Sequence, residues 1–327
     1  MPDPDGAAVT TDQPMMPLRV TRNEPIADGI NLFEFRAADG AALPEFSAGA
    51  HIAIRVPSGA IRKYSLCNDP AERDRYQIAV KREVGGRGGS IDLIDNVKPG
   101  DTLMVAAPVN DFGLPPRATD FLFIAGGIGI TPILAMIRQV QASGRRFRLY
   151  YCSRSAETTA FKEELSAPGI REFVTIHYDN GDPSCSLDLK PILKERQNRE
   201  HLYCCGPRPL MEAVRAMTDH WSPTAVHFEA FSDADTHKAG DKAFRAHLTK
   251  TGKTVEVPAD KTILEVLRAA GLDVPSSCET GTCGTCRTKY SGGEADHRDL
   301  VLAEHEKADT IMICVSRAKG DEITLER

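Results

Sequence analysis

The chain has 327 residues, 41% of them apolar, and 40 Lys and Arg against 46 Asp and Glu, a formal net charge of −6. That is enough for two or three domains with buried cores. The acidic balance, with no basic block, excludes a nucleic-acid binder dominated by phosphate contacts, and no apolar run approaches the ~20 residues of a membrane-spanning helix.

In chain order, residues 1–16, MPDPDGAAVTTDQPMM, have neither a basic start nor an apolar stretch. They read as a disordered arm rather than a secretion signal. Residues 17–115 alternate apolar and polar positions in short runs such as INLFEFRA, AHIAIRV and YQIAVKRE, separated by Gly, Pro and Asp. That pattern predicts a small antiparallel β-barrel or sandwich. Residues 116–231 set the strand-like runs FLFIAGG, FRLYYCS, FVTIHYD and HLYCCGP between helical stretches such as ITPILAMIRQVQASG. Strand–helix alternation predicts an α/β domain with a parallel sheet. Residues 232–241, SDADTHKAGD, are polar and read as a linker. Residues 242–327 begin with a strand, a Thr-Gly-Lys turn and a second strand. A helix over Lys261–Ala270 is expected next, from the spacing of Ile263, Leu264, Val266 and Leu267. Nine cysteines, odd in number and unevenly spaced, do not make a secreted disulfide framework and point to a reducing cytoplasm.

Two glycine-rich turns and one cysteine loop carry chemistry. VKREVGGRGGSIDLI, residues 80–94, runs from a strand through Gly85, Gly86, Arg87, Gly88 and Gly89, with Ser90 expected to cap a helix. Backbone N–H groups at such a helix start form an anion site. FLFIAGGIGITPILAMI, residues 121–137, runs strand, turn, helix without the G-x-G-x-x-G spacing. Gly126, Gly127 and Gly129 open that turn, Thr131 is expected to cap the helix, and Pro132 to begin it.

SSCETGTCGTCRTKYSGG, residues 276–293, spaces Cys278, Cys283 and Cys286 as C-x4-C-x2-C, and Cys314 follows in IMICVSRAKGD. This is the shape of the plant-type [2Fe–2S] pattern, in which four thiolates hold two irons and two sulfides. Gly281 and Gly284 allow close backbone approach and positive φ, so that neighbouring N–H groups can point at sulfur. Structural zinc usually takes its cysteines as two C-x2-C pairs. Unligated cysteines usually sit among apolar neighbours, which this loop lacks. Cys67, Cys152, Cys185 and Cys204 read as structural.

On those cysteines, the C-terminal segment resembles a plant-type ferredoxin domain with an α+β, β-grasp fold. Arg62, Lys63, Tyr64 and Ser65 in IRKYSLCNDP resemble the R-x-Y-S flavin motif of the ferredoxin-NADP reductase superfamily. AGGIGITP resembles its pyridine-nucleotide motif, and CGPRPL, residues 205–210, its C-G-P-x-x-[ML] stretch. In this order of domains, residues 17–327 resemble the family of phthalate dioxygenase reductase and vanillate demethylase reductase.

The resemblance implies roles. Arg62 would meet a flavin phosphate as a bidentate donor, Tyr64 would lie beside the isoalloxazine, and Ser65 near its N5. Arg87, Gly88, Gly89, Ser90 and Ile91 would hold the FMN phosphate, with Val80, Lys81 and Arg82 lining the flavin and Thr131 facing it. Cys205 would sit by the nicotinamide, with Gly206 and Pro207 shaping the pocket. Phe231, with Glu229 beside it, would cover the flavin ring, or else simply pack at a domain boundary. Ser153 and Arg154 fall where an adenosine ribose would lie. A basic residue there can accept the 2′-phosphate of NADPH, whereas the family resemblance points to NADH, the reading adopted.

The implied enzyme is an NAD(P)H-dependent oxidoreductase with no general acid or base. It would pass electrons from NADH through FMN and a [2Fe–2S] cluster to a terminal oxygenase or demethylase component, expected to be of the Rieske type. A haem monooxygenase or other acceptor is the alternative, and a redox sensor holding a cluster without turnover is a third reading. The working unit is expected to be a cytoplasmic monomer. Its docking patch for the oxygenase is expected around Cys278–Cys286.

Overall fold

The computed structural model describes residues 14–231 and 237–327. Residues 1–13 of the expected arm and 232–236 of the expected linker lie outside the described residues. The chain divides into two compact units, one running to Asp188 and including Gln197–Gly206, the other made of Leu189–Arg196 and Pro207–Arg327. Among the described residues no helix is long and apolar enough to cross a membrane.

In the first unit, β1 (Met15–Ala27), β2 (Ile30–Ala37), β3 (His51–Arg55), β4 (Ile61–Ser65), β5 (Tyr76–Lys81) and β6 (Thr102–Ala106) form one antiparallel sheet in the order β4-β3-β6-β1-β2-β5. Met15 and Met16, expected in the arm, already pair with Ala106 and Val105. The end strands β4 and β5 meet, so the sheet curls around a core that includes Phe33, Phe35, Ile52, Ile54 and Tyr76. Helix α1 (Gly89–Asn96) follows β5.

A parallel sheet completes this unit. Strands β7 (Asp120–Gly126), β8 (Arg146–Ser153), β9 (Val174–Tyr178) and β10 (His201–Cys205) lie in the order β10-β7-β8-β9, with α2 (Ile130–Ala142) and α3 (Lys162–Leu165) in the connections. All seven residues of β7 are buried, as expected of a strand covered on both faces. One core joins the two sheets: Ile30, Leu32, Ala48 and Ala79 of the barrel pack with Ile133, Leu134, Met136 and Ile137 of α2.

The second unit takes up α4 (Lys190–Leu193), α5 (Arg208–Met217) and β11 (Val226–Glu229) together with the C-terminal segment. The expected nucleotide domain, 116–231, is therefore divided between the units. The division has a physical basis, because Arg208 and Arg215 of α5 donate to the carbonyls of Arg298 and Leu302 at 2.6 and 3.0 Å.

The C-terminal segment is a mixed sheet gripping one helix, the β-grasp arrangement. It comprises β12 (Phe244–Leu248), β13 (Lys253–Val257), α6 (Ile263–Ala269), β14 (Arg287–Gly292), β15 (Ala295–Asp296), β16 (Thr310–Met312), β17 (Arg317–Ala318) and β18 (Glu322–Leu325). The main sheet runs β13-β12-β18-β14-β16, with β12 and β18 parallel, and β15 pairs with β17 alone. Helix α6 starts on a reciprocal capping box: Glu265 N–H donates to Thr262 Oγ1 at 3.1 Å and Thr262 N–H to Glu265 Oε2 at 2.7 Å, which satisfies two end donors. Its Ile263, Leu264 and Leu267 enter the core.

The end of the expected linker is tightly held. Asp241 accepts both Nη groups of Arg298 at 2.8 and 2.6 Å, and Arg298 also donates to Asp296 at 2.7 Å. The fully buried Arg317 donates to the carbonyls of Lys242, Pro258 and Lys261. The Arg298 guanidinium holds the Asp241 carboxyl well below the usual carboxylate range. Removing one partner of a buried pair costs about 3–5 kcal/mol, so Asp241→Asn should lower the melting temperature of this unit. Because the folded pKa is depressed, the pair stabilises fully above the unfolded carboxylate value of about 4. That stability is lost as pH falls further toward the folded value. The melting gap between Asp241→Asn and the parent chain, followed by circular dichroism, should be full at pH 7 and narrow at pH 3. A gap unchanged between those pH values would contradict this account.

Candidate cofactor sites

The cysteine loop follows α6. Its turns need left-handed backbone at Glu279 (φ 58°), Gly281 (φ 75°) and Gly284 (φ 83°). The glycines enter that region without strain. Glu279 is held there by Arg268, at 2.8 Å, and by the Ser276 hydroxyl at 3.0 Å. The loop is pinned from behind by Leu300 N–H on the Gly281 carbonyl at 3.1 Å.

The four predicted thiols are brought together as two interacting pairs, Cys278 with Cys283 and Cys286 with Cys314. The first pair is half-buried and the second buried. Cys278 Sγ accepts the N–H groups of Thr280, Thr282 and Cys283 at 3.4, 3.4 and 3.3 Å. The Cys283 thiol beside it, aided by the Thr282 and Thr280 donors, pushes Cys278 down to about 4 and is itself raised. In the buried pair Cys314 lowers Cys286 and is raised in turn. No three His, Cys, Asp or Glu side chains among the described residues converge on a single ion. Two thiol pairs, one thiolate of each already favoured, fit two irons with two thiolates each better than one tetrahedral ion.

At the barrel edge, Arg62 donates to the carbonyls of Ile61 and Arg87 at 2.9 and 3.0 Å. It thereby joins β4 to the glycine loop. Gly89 lets Arg62 lie close along the loop: a Cβ there would be 2.7 Å from Arg62 Cγ and Nε and would push that side chain aside. The cap of α1 is Gly88, at φ 76°, and not Ser90. Glycine takes the left-handed cap position at no cost, and the Ser90 hydroxyl instead accepts Glu83 N–H at 3.0 Å. The first-turn N–H groups of a helix, here Gly89, Ser90 and Ile91, have no intrahelical acceptor. Together with Arg62 and the exposed Arg87, they are the groups here that could hold an anion.

Alternation along β4 puts Arg62 and Tyr64 on one face and Lys63 and Ser65 on the other. Lys63 is exposed and Ser65 buried. Burial raises the Tyr64 phenol to about 12, so its ring is a neutral surface. Three predicted flavin-lining side chains are engaged elsewhere. Val80 is in the barrel core, Lys81 pairs with Glu83 at 3.3 Å, and Arg82 pairs with Asp95 of α1 at 2.9 Å. The Lys81 and Arg82 ion pairs are on the surface, with side chains 49% and 38% exposed.

In the second glycine turn, a short 3-10 segment, Gly127–Gly129, leads into α2, whose cap is Gly129. Thr131 does not cap: it lies inside the helix and donates to the Ile128 carbonyl at 3.1 Å. Pro132 is accordingly one position beyond Thr131 and does not begin the helix. Gly126 ends β7 and Gly127 has φ 54°. Gly129 packs against the end of β10, where a Cβ would lie 2.2 Å from the Cys205 carbonyl oxygen. Cys205 is buried and Gly206 half-buried. At the end of β8, Ser153 is buried with its hydroxyl 3.2 Å from that of Thr158, and Arg154 is exposed. Pro207 caps α5 in the second unit, where Glu229 ends β11 and Phe231 is 47% exposed.

Sequence reasoning missed three features: the Asp241–Arg298 clamp, the left-handed Glu279, and Arg138 of α2, which bonds both Cys67 and Glu164. The clamp and Arg138 depend on partners far apart in sequence, and the Glu279 turn on Arg268 across the end of α6 and on Ser276 nearby; none follows a recognised motif.

Comparison with known proteins gives three family matches along the chain. Residues 17–113 match the oxidoreductase FAD-binding domain, 123–216 the oxidoreductase NAD-binding domain, and 246–319 the 2Fe-2S iron-sulfur cluster binding domain. The chain is 50% identical over 310 residues to phthalate dioxygenase reductase of Burkholderia cepacia, covering 94% of this chain and 96% of the relative. It is 49% identical, at the same coverage, to the phthalate 4,5-dioxygenase oxygenase reductase subunit of Pseudomonas putida. The solved structure of a phthalate dioxygenase reductase, described as modular for electron transfer from pyridine nucleotides to [2Fe–2S], matches with a TM-score of 0.70. It shares 49% identity and is covered to 98%, against 96% of this chain.

Proposed function

Since the chain belongs to the phthalate dioxygenase reductase family, with flavin, pyridine-nucleotide and [2Fe–2S] domains in one polypeptide, we propose that it takes electrons from NADH and delivers them singly to a Rieske-type terminal oxygenase or demethylase. The observation that carries this reading is the pairing of Cys278 with Cys283 and Cys286 with Cys314, in the same chain as the flavin and nucleotide turns. When bound, the nicotinamide supplies a hydride, the flavin converts an electron pair into single electrons, and the cluster carries one at a time.

The protein's part is to bind and orient. Arg62 and the α1 start hold a phosphate, and Tyr64 offers a neutral aromatic wall. Gly129 lets the nucleotide turn close on β10. The N–H groups of Thr280, Thr282 and Cys283 stabilise the Cys278 thiolate, as such bonds to ligand sulfur tune a cluster. No side chain has to move a proton at a reacting atom. FMN is the proposed flavin: the phosphate cradle at Arg62 and Gly89 suits a single terminal phosphate, and a C-terminal ferredoxin accompanies FMN in the family the sequence resembles. A monomer is the proposed working unit. The five cysteines outside the cluster set, none of them disulfide-bonded, suit a reducing cytoplasm.

The test is reconstitution. The purified chain, with NADH, should drive substrate oxidation by a Rieske-type oxygenase and consume NADH in proportion. Turnover with a haem monooxygenase and none with Rieske partners would replace the proposed acceptor. Failure to reduce even cytochrome c would favour a sensor. Acid-released flavin that co-elutes with FAD, or tighter use of NADPH through Arg154, would overturn those two assignments separately.

A further inference from the structure

Electron entry needs the flavin and the nicotinamide held at a fixed distance, yet they are bound by different parts of the first unit. Two neighbouring side chains of α2 bond the barrel, and one of them, Arg138, is also forked onto α3. Arg138 lies on α2, nine residues beyond Gly129, so its helix grows directly from the nucleotide turn. Its Nη1 donates to the carbonyl of Cys67, two residues beyond Ser65 on the β4 segment. Its Nε and Nη2 fork onto Glu164 of α3 at 2.9 and 2.8 Å.

The Cys67 end of this link is held firmly. Cys67 is buried, and its N–H and S–H both donate to the Gln77 carbonyl of β5, at 2.9 and 3.3 Å. The next residue on α2, Gln139, accepts Ala48 N–H at 3.0 Å, so the helix grips the barrel at two adjacent points. A half-buried arginine forked on a carboxylate has little freedom, and movement of α2 therefore carries the Cys67 carbonyl with it.

Resting on the electron-entry reading above, we propose that Arg138 is a positioning residue for hydride transfer. It sets the approach of the nucleotide turn to the flavin strand through its bonds to Cys67 and Glu164. A misplacement of about 1 Å at such a step can cost about 10²-fold in rate.

The test is anaerobic stopped-flow reduction of the full chain by NADH, with flavin absorbance as the readout. In Arg138→Met the limiting rate at saturating NADH should fall about 10²-fold, while the half-saturating NADH concentration changes less than about threefold. Flavin and iron–sulfur absorbance per chain, and reduction of the flavin by light and a sacrificial donor, should be unchanged. Arg138→Lys keeps a donor for Cys67 but not the fork on Glu164, and should recover part of the rate. If Arg138→Met does not fold, Glu164→Gln, which loosens the fork and keeps the guanidinium, should still slow the step by about tenfold. An unchanged limiting rate per bound flavin in the variants that fold would overturn the proposal, as would a defect confined to flavin content or melting temperature. Failure of the parent chain itself to be bleached by NADH would instead sink the electron-entry reading.

Discussion

Replacing Cys314 with Ser should leave a flavoprotein that still oxidises NADH but delivers almost no electrons onward. Cys314 is buried and is the one member of the thiol set that comes from outside the loop. Without it, Cys286 loses the partner that lowers its pKa, and the loop keeps only its own three thiols. Serine offers a harder oxygen whose hydroxyl is far less acidic than a cysteine thiol, so it poorly replaces the thiolate that such clusters require. The iron–sulfur absorbance should disappear while flavin content holds, because the barrel and its phosphate cradle lie in the other unit. NADH-dependent reduction of ferricyanide, which the flavin alone can support, should stay close to the parent rate. Reduction of cytochrome c or of a terminal oxygenase should fall by about 10²-fold or more, the scale of advantage lost when a tethered step is removed. Retention of the cluster in Cys314→Ser would mean that the pairing of Cys286 with Cys314 is not the metal site.

Gly129→Ala should damage nucleotide use while sparing the cluster. The residue has ordinary helical backbone, φ −62°, so the substitution adds a methyl group and no dihedral strain. That methyl would lie 2.2 Å from the Cys205 oxygen, 2.5 Å from its carbonyl carbon and 2.9 Å from Gly206 N. All three are backbone atoms that cannot rotate away. Overpacking of this kind costs about 1–3 kcal/mol, occasionally more, and here it is relieved only by parting α2 from β10. The glycine turn then moves off the CGP segment, and the rate of flavin reduction by NADH should fall about 10²-fold, read by stopped-flow absorbance. Gly127→Ala provides the contrast. Nothing lies within 4 Å of its Cβ, but its φ is 54°, so the cost is about 1–2 kcal/mol of backbone strain with no displacement of the turn. If Gly127→Ala proves the more harmful of the two for NADH use, close packing on Cys205 is not what the turn is built for.

The periodicities legible in the sequence were those of short range. Alternation in INLFEFRA and AHIAIRV marked barrel strands, and strand–helix alternation marked the parallel sheet, because each side chain's face depends on its neighbours. The cysteine spacing was legible for the same reason: three of four thiols come from one loop. The helix starts were less so. Ser90 and Thr131 are residue types that favour caps, yet glycines took both positions, because those sites need either a left-handed φ or contact without a Cβ. Val80, Lys81 and Arg82 illustrate a second limit. The motif carries their positions, but the side chains answer to the core, to Glu83 and to Asp95. The bonds from Arg208 and Arg215 to Arg298 and Leu302 join residues 90 and 87 apart, a contact that no local pattern in the sequence announces.

The central claim is that one chain carries electrons from nicotinamide through flavin to cluster. Anaerobic titration of the purified holoprotein with NADH, followed across the visible spectrum, tests it most directly. Flavin and iron–sulfur bands should both bleach, with the end point near 1.5 NADH per chain, as expected for about three electrons shared between a two-electron flavin and a one-electron cluster. Bleaching that stops at the flavin, with the iron–sulfur band intact after excess NADH, would contradict the claim.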